Sequence, residues 1–377
     1  MDANERSLLE HFSEVSDPRI DRKKLHKLID IIVISICAVI AGADSFDDIE
    51  VFGKGRIDWL KRFLELPNGI PSHDTFERVF RRIDPKEFQS SFQGWTSHLA
   101  TAFEGVIAID GQTHRGAKDT GQKKSPLHMV SAFASDLRLV LAQVKVDEKS
   151  NEITAIPKIL ELLDLKGCIV TIDAMGCQQA IAQKIIEGGG DYALGLKGNQ
   201  GLTLEAVTEH FSTMSEITFE KFIEVDKGHG RIETREHFAS TAESVIDLKV
   251  WPGLKSVVKV ISTREIQDKI TTENRYYLTS LDAVEVKKIA HAIRSHWAIE
   301  NSLHYVLDVT FNQDKSRIRK DNSAENFGVL RHVVTNMLRQ APIARRGNKS
   351  LKLKRKRAAY DTEYFEEILR TGGISAQ

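Results

Sequence analysis

The sequence predicts an α/β protein: a mixed sheet flanked by helices, preceded by a helical N-terminal domain and interrupted by a β-rich insertion. Three observations carry this expectation. Apolar residues recur at helical spacing up to about residue 100. Between 106 and 198 the period changes and gives the order β-β-β-α-β-α-β. Strand-like runs then return between 205 and 282, ahead of one long helical pattern at 283–309. Three sequential strands suggest an antiparallel meander, and later strands reached through helices suggest parallel crossovers.

The elements follow in order. "IIVISICAVIAGA" (31–43) is uncharged and apolar over thirteen residues, too short to cross a bilayer, and reads as a buried helix. In "PSHDTFERVFRRID" (71–84) Ser72 can cap, Asp74 sits in the first turn and arginines fill the last, which suits the helix dipole. Phe76, Val79, Phe80 and Ile83 share one face and leave Arg78, Arg81 and Arg82 outward, for water or for DNA. "VIAID" (106–110), "HMVSAFAS" (128–135) and "LRLVLAQVKV" (137–146) read as strands. A helix follows in "ITAIPKILELLDL" (153–165), with Pro157 tolerable only in its first turn. "CIVTIDA" (168–174) is a strand, "QQAIAQKIIEGGG" (178–190) a helix stopped by glycines, and "DYALGLKG" (191–198) a strand. The order is unlike a dinucleotide-binding sheet, and no GxGxxG follows either aspartate-ending strand. The chain thus divides into a helical N-terminal domain (1–100), a core (101–204 and 283–341), the insertion (205–282) and a basic C-terminal segment (342–377).

Composition adds limits. At 377 residues two or three domains are expected. Lys+Arg and Asp+Glu are both 53, so mean charge excludes no partner. The distribution is more telling: "RRGNKSLKLKRKR" (345–357) has eight basic residues and no acid, a block that stays solvated or meets a polyanion. Cys37, Cys168 and Cys177 show no CxxC spacing and no signal peptide precedes them, so core thiols in a cytoplasmic protein without membrane association are expected.

The chemistry is suggested by carboxylates. "VIAIDGQ" (106–112) and "CIVTIDAMG" (168–176) each run through strand-forming residues to an aspartate. If the first and fourth strands are neighbours, Asp110 and Asp173 project side by side. In the long helix Ile293, Trp297, Glu300, His304 and Leu307 recur at spacings of four, three, four and three, which places Glu300 on the apolar stripe. A carboxylate there is costly unless a cation receives it; the alternative is a half-exposed surface glutamate. Hard divalent ions relieve repulsion between such acids, and two ions roughly 3.5–4 Å apart clamp both oxygens of an in-line phosphoryl displacement.

The order of elements and this trio resemble the ribonuclease-H-like core of DDE transposases. "AIDGQTHRG", "VTIDAMGCQ", "YALGLKGNQ", "GHGRIETRE" and "HWAIENSLHYVLDVTFNQDKSR" are similar to insertion-sequence transposases of the ISAs type, the H-repeat-associated proteins, from the helical start through at least Arg317. The resemblance implies that Asp110, Asp173 and Glu300 are catalytic and bind two Mg²⁺ ions, with Mn²⁺ able to substitute. It implies double-stranded DNA partners (terminal inverted repeats and target), a homodimer on paired ends and a cytoplasmic, nucleoid-associated location. Related enzymes carry a tyrosine seven before the glutamate, an arginine four before and a lysine seven after; here Ile293, His296 and Leu307 stand there. His296 replaces the arginine only in part, so Lys197, Arg231 and Arg235 become candidates for gripping DNA, with Asn199 in "LKGNQG" and Arg115, beside His114, past Asp110. Asp308 and Asp314 are expected to pair locally. Two other readings remain: a non-catalytic, host-adopted or decayed DNA-binding protein, and a phosphatase with an aspartate nucleophile. The second expects another aspartate two residues on, where this chain has Gln112 and Met175.

Overall fold

In the computed structural model, the described residues are 6–117, 126–147, 150–228, 230–267, 269–342 and 350–375. Nine strands form one mixed sheet: β1 Val106–His114, β2 Leu127–Ala134, β3 Leu139–Lys145, β4 Ile169–Ile172, β5 Asp191–Leu196, β6 Glu220–Gly228, β7 Arg231–Thr241, β8 Ser256–Ile266 and β9 Lys269–Thr279. The spatial order is β3-β2-β1-β4-β5-β9-β8-β7-β6. As the sequence predicts, β1 to β3 form an antiparallel meander, while β4 and β5 run parallel to β1. The strands of the 205–282 stretch continue the same sheet: β9 pairs antiparallel with β5 over Ala193↔Thr279 to Leu196↔Tyr276.

β1 departs from expectation. The strand does not stop at Asp110 but runs to His114, because β2 supplies a ladder partner all the way to His114↔Leu127. Its other neighbour, β4, accompanies it only to Ile109↔Ile172. Asp110 is therefore the first residue of β1 past its pairing with β4.

Among the described residues six α-helices precede the sheet: α1 Leu8–Ser13, α2 Leu28–Ala41, α3 Phe46–Gly55, α4 Ile57–Leu60, α5 His73–Arg82 and α6 Pro85–Leu99. α2 carries the apolar run, is buried almost end to end, and stops at Gly42, whose φ of 117° a side chain would resist. No single helix among the described residues is long and apolar enough to cross a membrane. In α5 the predicted face of Phe76, Val79, Phe80 and Ile83 is fully buried. Ser72 stands at the N-cap, yet its hydroxyl meets the Thr75 hydroxyl at 3.2 Å instead of a backbone N–H. α6 is better capped, with Asp84 accepting from the Lys86 N–H and Pro85 at the first helical position.

α7 Glu152–Leu160, α8 Gln179–Glu187 and α9 Gly201–Thr213 cover one face of the sheet. Asn151 caps α7, so Pro157 is its sixth residue and lies past the first turn, contrary to expectation. The missing N–H falls near the end of a short helix, where few bonds remain to be lost. The opposite face receives α10 Val286–Ala298, a widened turn Ile299–His304, α11 Tyr305–Thr310 and α12 Ser323–Gln340. The predicted single helix at 283–309 is thus interrupted by a π-helical turn.

Two C-terminal helices, α13 Leu351–Tyr360 and α14 Thr362–Thr371, complete the helical body around α2 and α12. The basic run is therefore not a free solvated tail over its described part; residues 345–349 lie outside the described residues. Lys354 donates to the carbonyls of Leu338 and Ala341 at 2.6 and 2.8 Å, at the C-terminus of α12. Arg355 donates twice to the Val39 carbonyl and once to that of Thr310, with its guanidinium 4.4 Å from the Phe311 ring centroid. Carbonyls at helix ends lack helical donors, and these two cations supply them.

Candidate active site

Alternation along β1 and β4 fixes the directions of the two aspartates. Asp110 shares a face with Ala108, and Asp173, just past β4, continues the face of Ile169 and Thr171. This is the face covered by the 286–310 helical segment, and the Ala108↔Thr171 pairing sets the two acids one step further along neighbouring strands. Beyond β4 the chain turns sharply, with Asp173 accepting from the backbone N–H groups of Met175 at 3.0 Å and Gly176 at 3.4 Å. Asn199 donates to the Ala174 carbonyl at 2.7 Å and Gln200 to that of Cys177 at 2.9 Å, pinning this loop from outside.

Glu300 comes from the widened turn. The buried row there is Ile299, Leu303, Leu307 and Phe311, recurring every four residues. Four residues exceed one α-turn of 3.6, and a wider turn absorbs the excess. Glu300 is consequently exposed beside the row, and the expectation that it lies on the apolar stripe is corrected; it faces the cleft shared with Asp173.

Asp110 senses the other two acids. Burial pushes the Asp110 carboxyl up to about 8, and the nearby charges of Glu300, Asp173 and Glu152 add to the rise while the Gly111 N–H opposes it. His304 places Nδ1 3.5 Å from Asp110 Oδ2, and its Nε2 is buried with no hydrogen-bond partner among the described residues. Burial, then His296, pushes its imidazole down to about 4, so it is neutral at pH 7. Glu152 lies over the Gly111 backbone: a Cβ at 111 would come within 2.2 Å of its Oε1. Its carboxylate meets His128 Nε2 at 2.7 Å, and Thr113 meets the other ring nitrogen at 2.8 Å.

The other predicted residues scatter around this centre. Lys197 is exposed and His296 half-buried in a cleft of about 500 Å³ that also takes in Asp173, Arg275 and Glu300. His296 meets the Thr171 hydroxyl at 3.1 Å, and its pKa is lowered by burial. An adjoining cleft of about 460 Å³ contains Arg231, Arg235, Arg264 and Arg294, and the two share Glu273, Arg275 and Trp297. Arg231 pairs with Glu233 at 3.0 Å; Arg235 is enclosed by Asp226, Glu233 and Glu224, its side chain only 13% exposed. Asn199 spends its amide on Ala174, and Arg115 lines neither cleft, its backbone N–H donating to Asp314. His114 is not a loop residue at all but is buried, with a strongly lowered pKa. Asp308 accepts from Gln112 at 2.9 Å and Asp314 from the Arg115 backbone N–H, partners 196 and 199 residues away in sequence, so the expected local pairing is corrected: the fold, not the local chain, supplies the donors.

Sequence reading missed Glu152 and His128, and saw His304 only as part of a stripe. Glu152 and His128 open α7 and β2, and only the fold brings them beside Asp110. Among the described residues no three His, Cys, Asp or Glu side chains stand at closed metal-site spacing. The donor set is nevertheless one for a hard cation: three carboxyl groups, with the ionised form of Asp110 offset by no lysine or arginine in any contact described above.

An antiparallel β1–β3 meander continued by parallel β4 and β5, with Asp110 where β1 leaves β4 and Asp173 just past β4, defines a protein of the ribonuclease-H-like class. Residues 101–337 match the family description "Transposase DDE domain", and 9–96 match "DDE_Tnp_1-associated". The chain belongs to the DDE transposase family. It is 44% identical over 371 residues to "Putative transposase YncI" of Escherichia coli O157:H7, covering 96% of this chain and 94% of that protein. It is 41% identical over 379 residues to "H repeat-associated putative transposase YhhI" of Escherichia coli K12, covering 98% and 99%. A solved structure, the piggyBac transposase synaptic complex with hairpin DNA, aligns with a TM-score of 0.42 and 11% identity over 95% of this chain and 76% of that one.

Proposed function

We propose that this transposase acts for a bacterial insertion sequence: it binds the terminal inverted repeats as double-stranded DNA, cuts at their ends and joins the freed 3′ hydroxyls to target DNA. The observation that carries the reading is the convergence of Asp110 and Asp173, from neighbouring parallel strands, with Glu300 from the facing helix, close enough for their charges to oppose ionisation of Asp110. These three side chains would hold divalent ions, Mg²⁺ or Mn²⁺. Bound there, such ions supply electrostatic stabilisation to the attacking and leaving oxygens of an in-line displacement.

The chain's own groups do the rest. Asp173 is held by its turn, and Asn199 secures the loop behind it. Lys197, on the cleft rim, and Arg231, Arg275 and Arg294, in the adjoining cleft, provide positive charge for the phosphate backbone. His296 orients on Thr171 beside Asp173. Two copies on paired ends, in a cytoplasmic, nucleoid-associated protein, complete the proposal.

The test is a cleavage assay with purified protein, Mg²⁺ and a DNA fragment carrying the terminal repeats. Specific nicking should fall by at least about a hundredfold in Asp110→Asn, Asp173→Asn and Glu300→Gln, as when a charge-stabilising group is lost from an active site. Undiminished cutting by all three variants would refute the site. Specific binding by the wild-type protein without cutting would favour the non-catalytic DNA-binding reading.

A further inference from the structure

We propose that His304 completes the ion site as a nitrogen ligand, making the centre a mixed carboxylate–imidazole site instead of one built from oxygens alone. The inference rests on the acid-trio reading above and adds a ligand to it. His304 lies four residues after Glu300 in the same widened turn, so one element delivers both side chains to Asp110. The pair is shielded, with the His304 side chain 12% and the Asp110 side chain 15% exposed.

The 3.5 Å between Nδ1 and Asp110 Oδ2 is long for a charge-assisted hydrogen bond, whose usual span is about 2.7–2.9 Å. It is nearer the roughly 3 Å between adjacent donors on one ion, given metal–ligand bonds of about 2.0–2.2 Å. With the ring proton on Nε2, the Nδ1 lone pair faces carboxylate oxygen, an arrangement that favours a cation between them. Glu152, His128, His296, His114 and His332 are the other titratable groups near the ring. None has a described hydrogen bond or ion pair to His304: Glu152 and His128 are joined to each other, and His296 meets Thr171. The competing role for His304 is a hydrogen-bond donor that merely positions Asp110.

An imidazole ligand changes ion preference, because nitrogen donors suit Mn²⁺, Co²⁺ and Zn²⁺ better than Mg²⁺. The full-length protein should be titrated with Mn²⁺ alone and read by electron paramagnetic resonance, including nitrogen modulation of the spin echo from the bound ion. Wild type should show nitrogen coupling that persists in His296→Asn and disappears in His304→Asn and His304→Gln. Mn²⁺ affinity should fall by about tenfold in the His304 variants, and Mg²⁺ affinity, measured by competition, by less. Thermal melts of both His304 variants establish that they are folded; the nitrogen coupling in wild type needs no variant. Bound Mn²⁺ whose coupling is absent, or survives loss of His304, overturns the inference. Loss of that binding in Asp110→Asn would leave the acid trio standing. If wild type binds no Mn²⁺, both readings fall.

Discussion

At the scale of single residues, a cluster of buried histidines sets a pH limit on the fold. His332 is buried, its Nδ1 unpartnered among the described residues, and burial, then the neighbouring His304 and Arg331, push its pKa down to about 3. In the unfolded chain it titrates near its ordinary value of about 6.5. Between these values the unfolded state holds a proton that the folded state lacks, so stability rises with pH there. The contribution is complete above pH 6.5 and is lost as pH falls toward 3, at up to about 1.4 kcal/mol per pH unit for one such group. Urea melts at pH 7, 6, 5 and 4 should therefore show declining stability, with a shallower decline in His332→Gln. Equal slopes in variant and wild type would rule out His332 as a source. Asp110 and Asp173 stood out as candidates in the sequence because a charged residue closing an apolar strand-forming run is conspicuous. Glu300 was put forward on a faulty argument: the α-helical spacing placed it among buried residues, whereas the widened turn leaves it exposed.

At the scale of elements, the helical and strand periods were readable wherever packing obeys them, as in α2, α5 and β2 to β5. What escaped were features decided by a distant partner. β1 outruns its aspartate because β2 pairs with it to His114. The basic α13 looked like a solvated block, since nothing local reveals that Lys354 and Arg355 serve carbonyls at the ends of α2, α11 and α12. This yields a prediction. Arg355→Lys keeps the charge but loses the planar fork that reaches Val39 and Thr310 together. It should cost about 2–3 kcal/mol of unfolding free energy, as for hydrogen bonds made by a buried charged group, with little change in nicking rate per folded molecule. Chemical denaturation measures the first and the cleavage assay the second; unchanged stability would mean that the guanidinium does not lock these helices.

At the scale of the whole molecule, two clefts meet at Glu273, Arg275 and Trp297 over the β5–β9 pairing, so the four added strands form one plate with the core. Arginines there are not equivalent. Each cation that truly neutralises a phosphate contributes about one unit to the slope of log affinity against log salt. Arg231→Ala and Lys197→Ala should each lower that slope by about 1. Arg235→Ala should leave the slope nearly unchanged and instead loosen β6–β7, because three carboxylates already enclose its guanidinium. Fluorescence anisotropy with end DNA at several salt concentrations separates the cases; a full-unit change for Arg235→Ala would reassign it to DNA. The helical body, finally, is built from segments far apart in sequence: the Leu8 N–H donates to the Gly372 carbonyl at 3.0 Å, and α13 and α14 share the core of α2. A ribosome delivers α13 and α14 long after α1 and α2, so the earlier-made helices must wait for the later ones. Nonsense alleles ending before Thr371 should therefore yield aggregating, protease-sensitive products and not compact DNA-binding fragments.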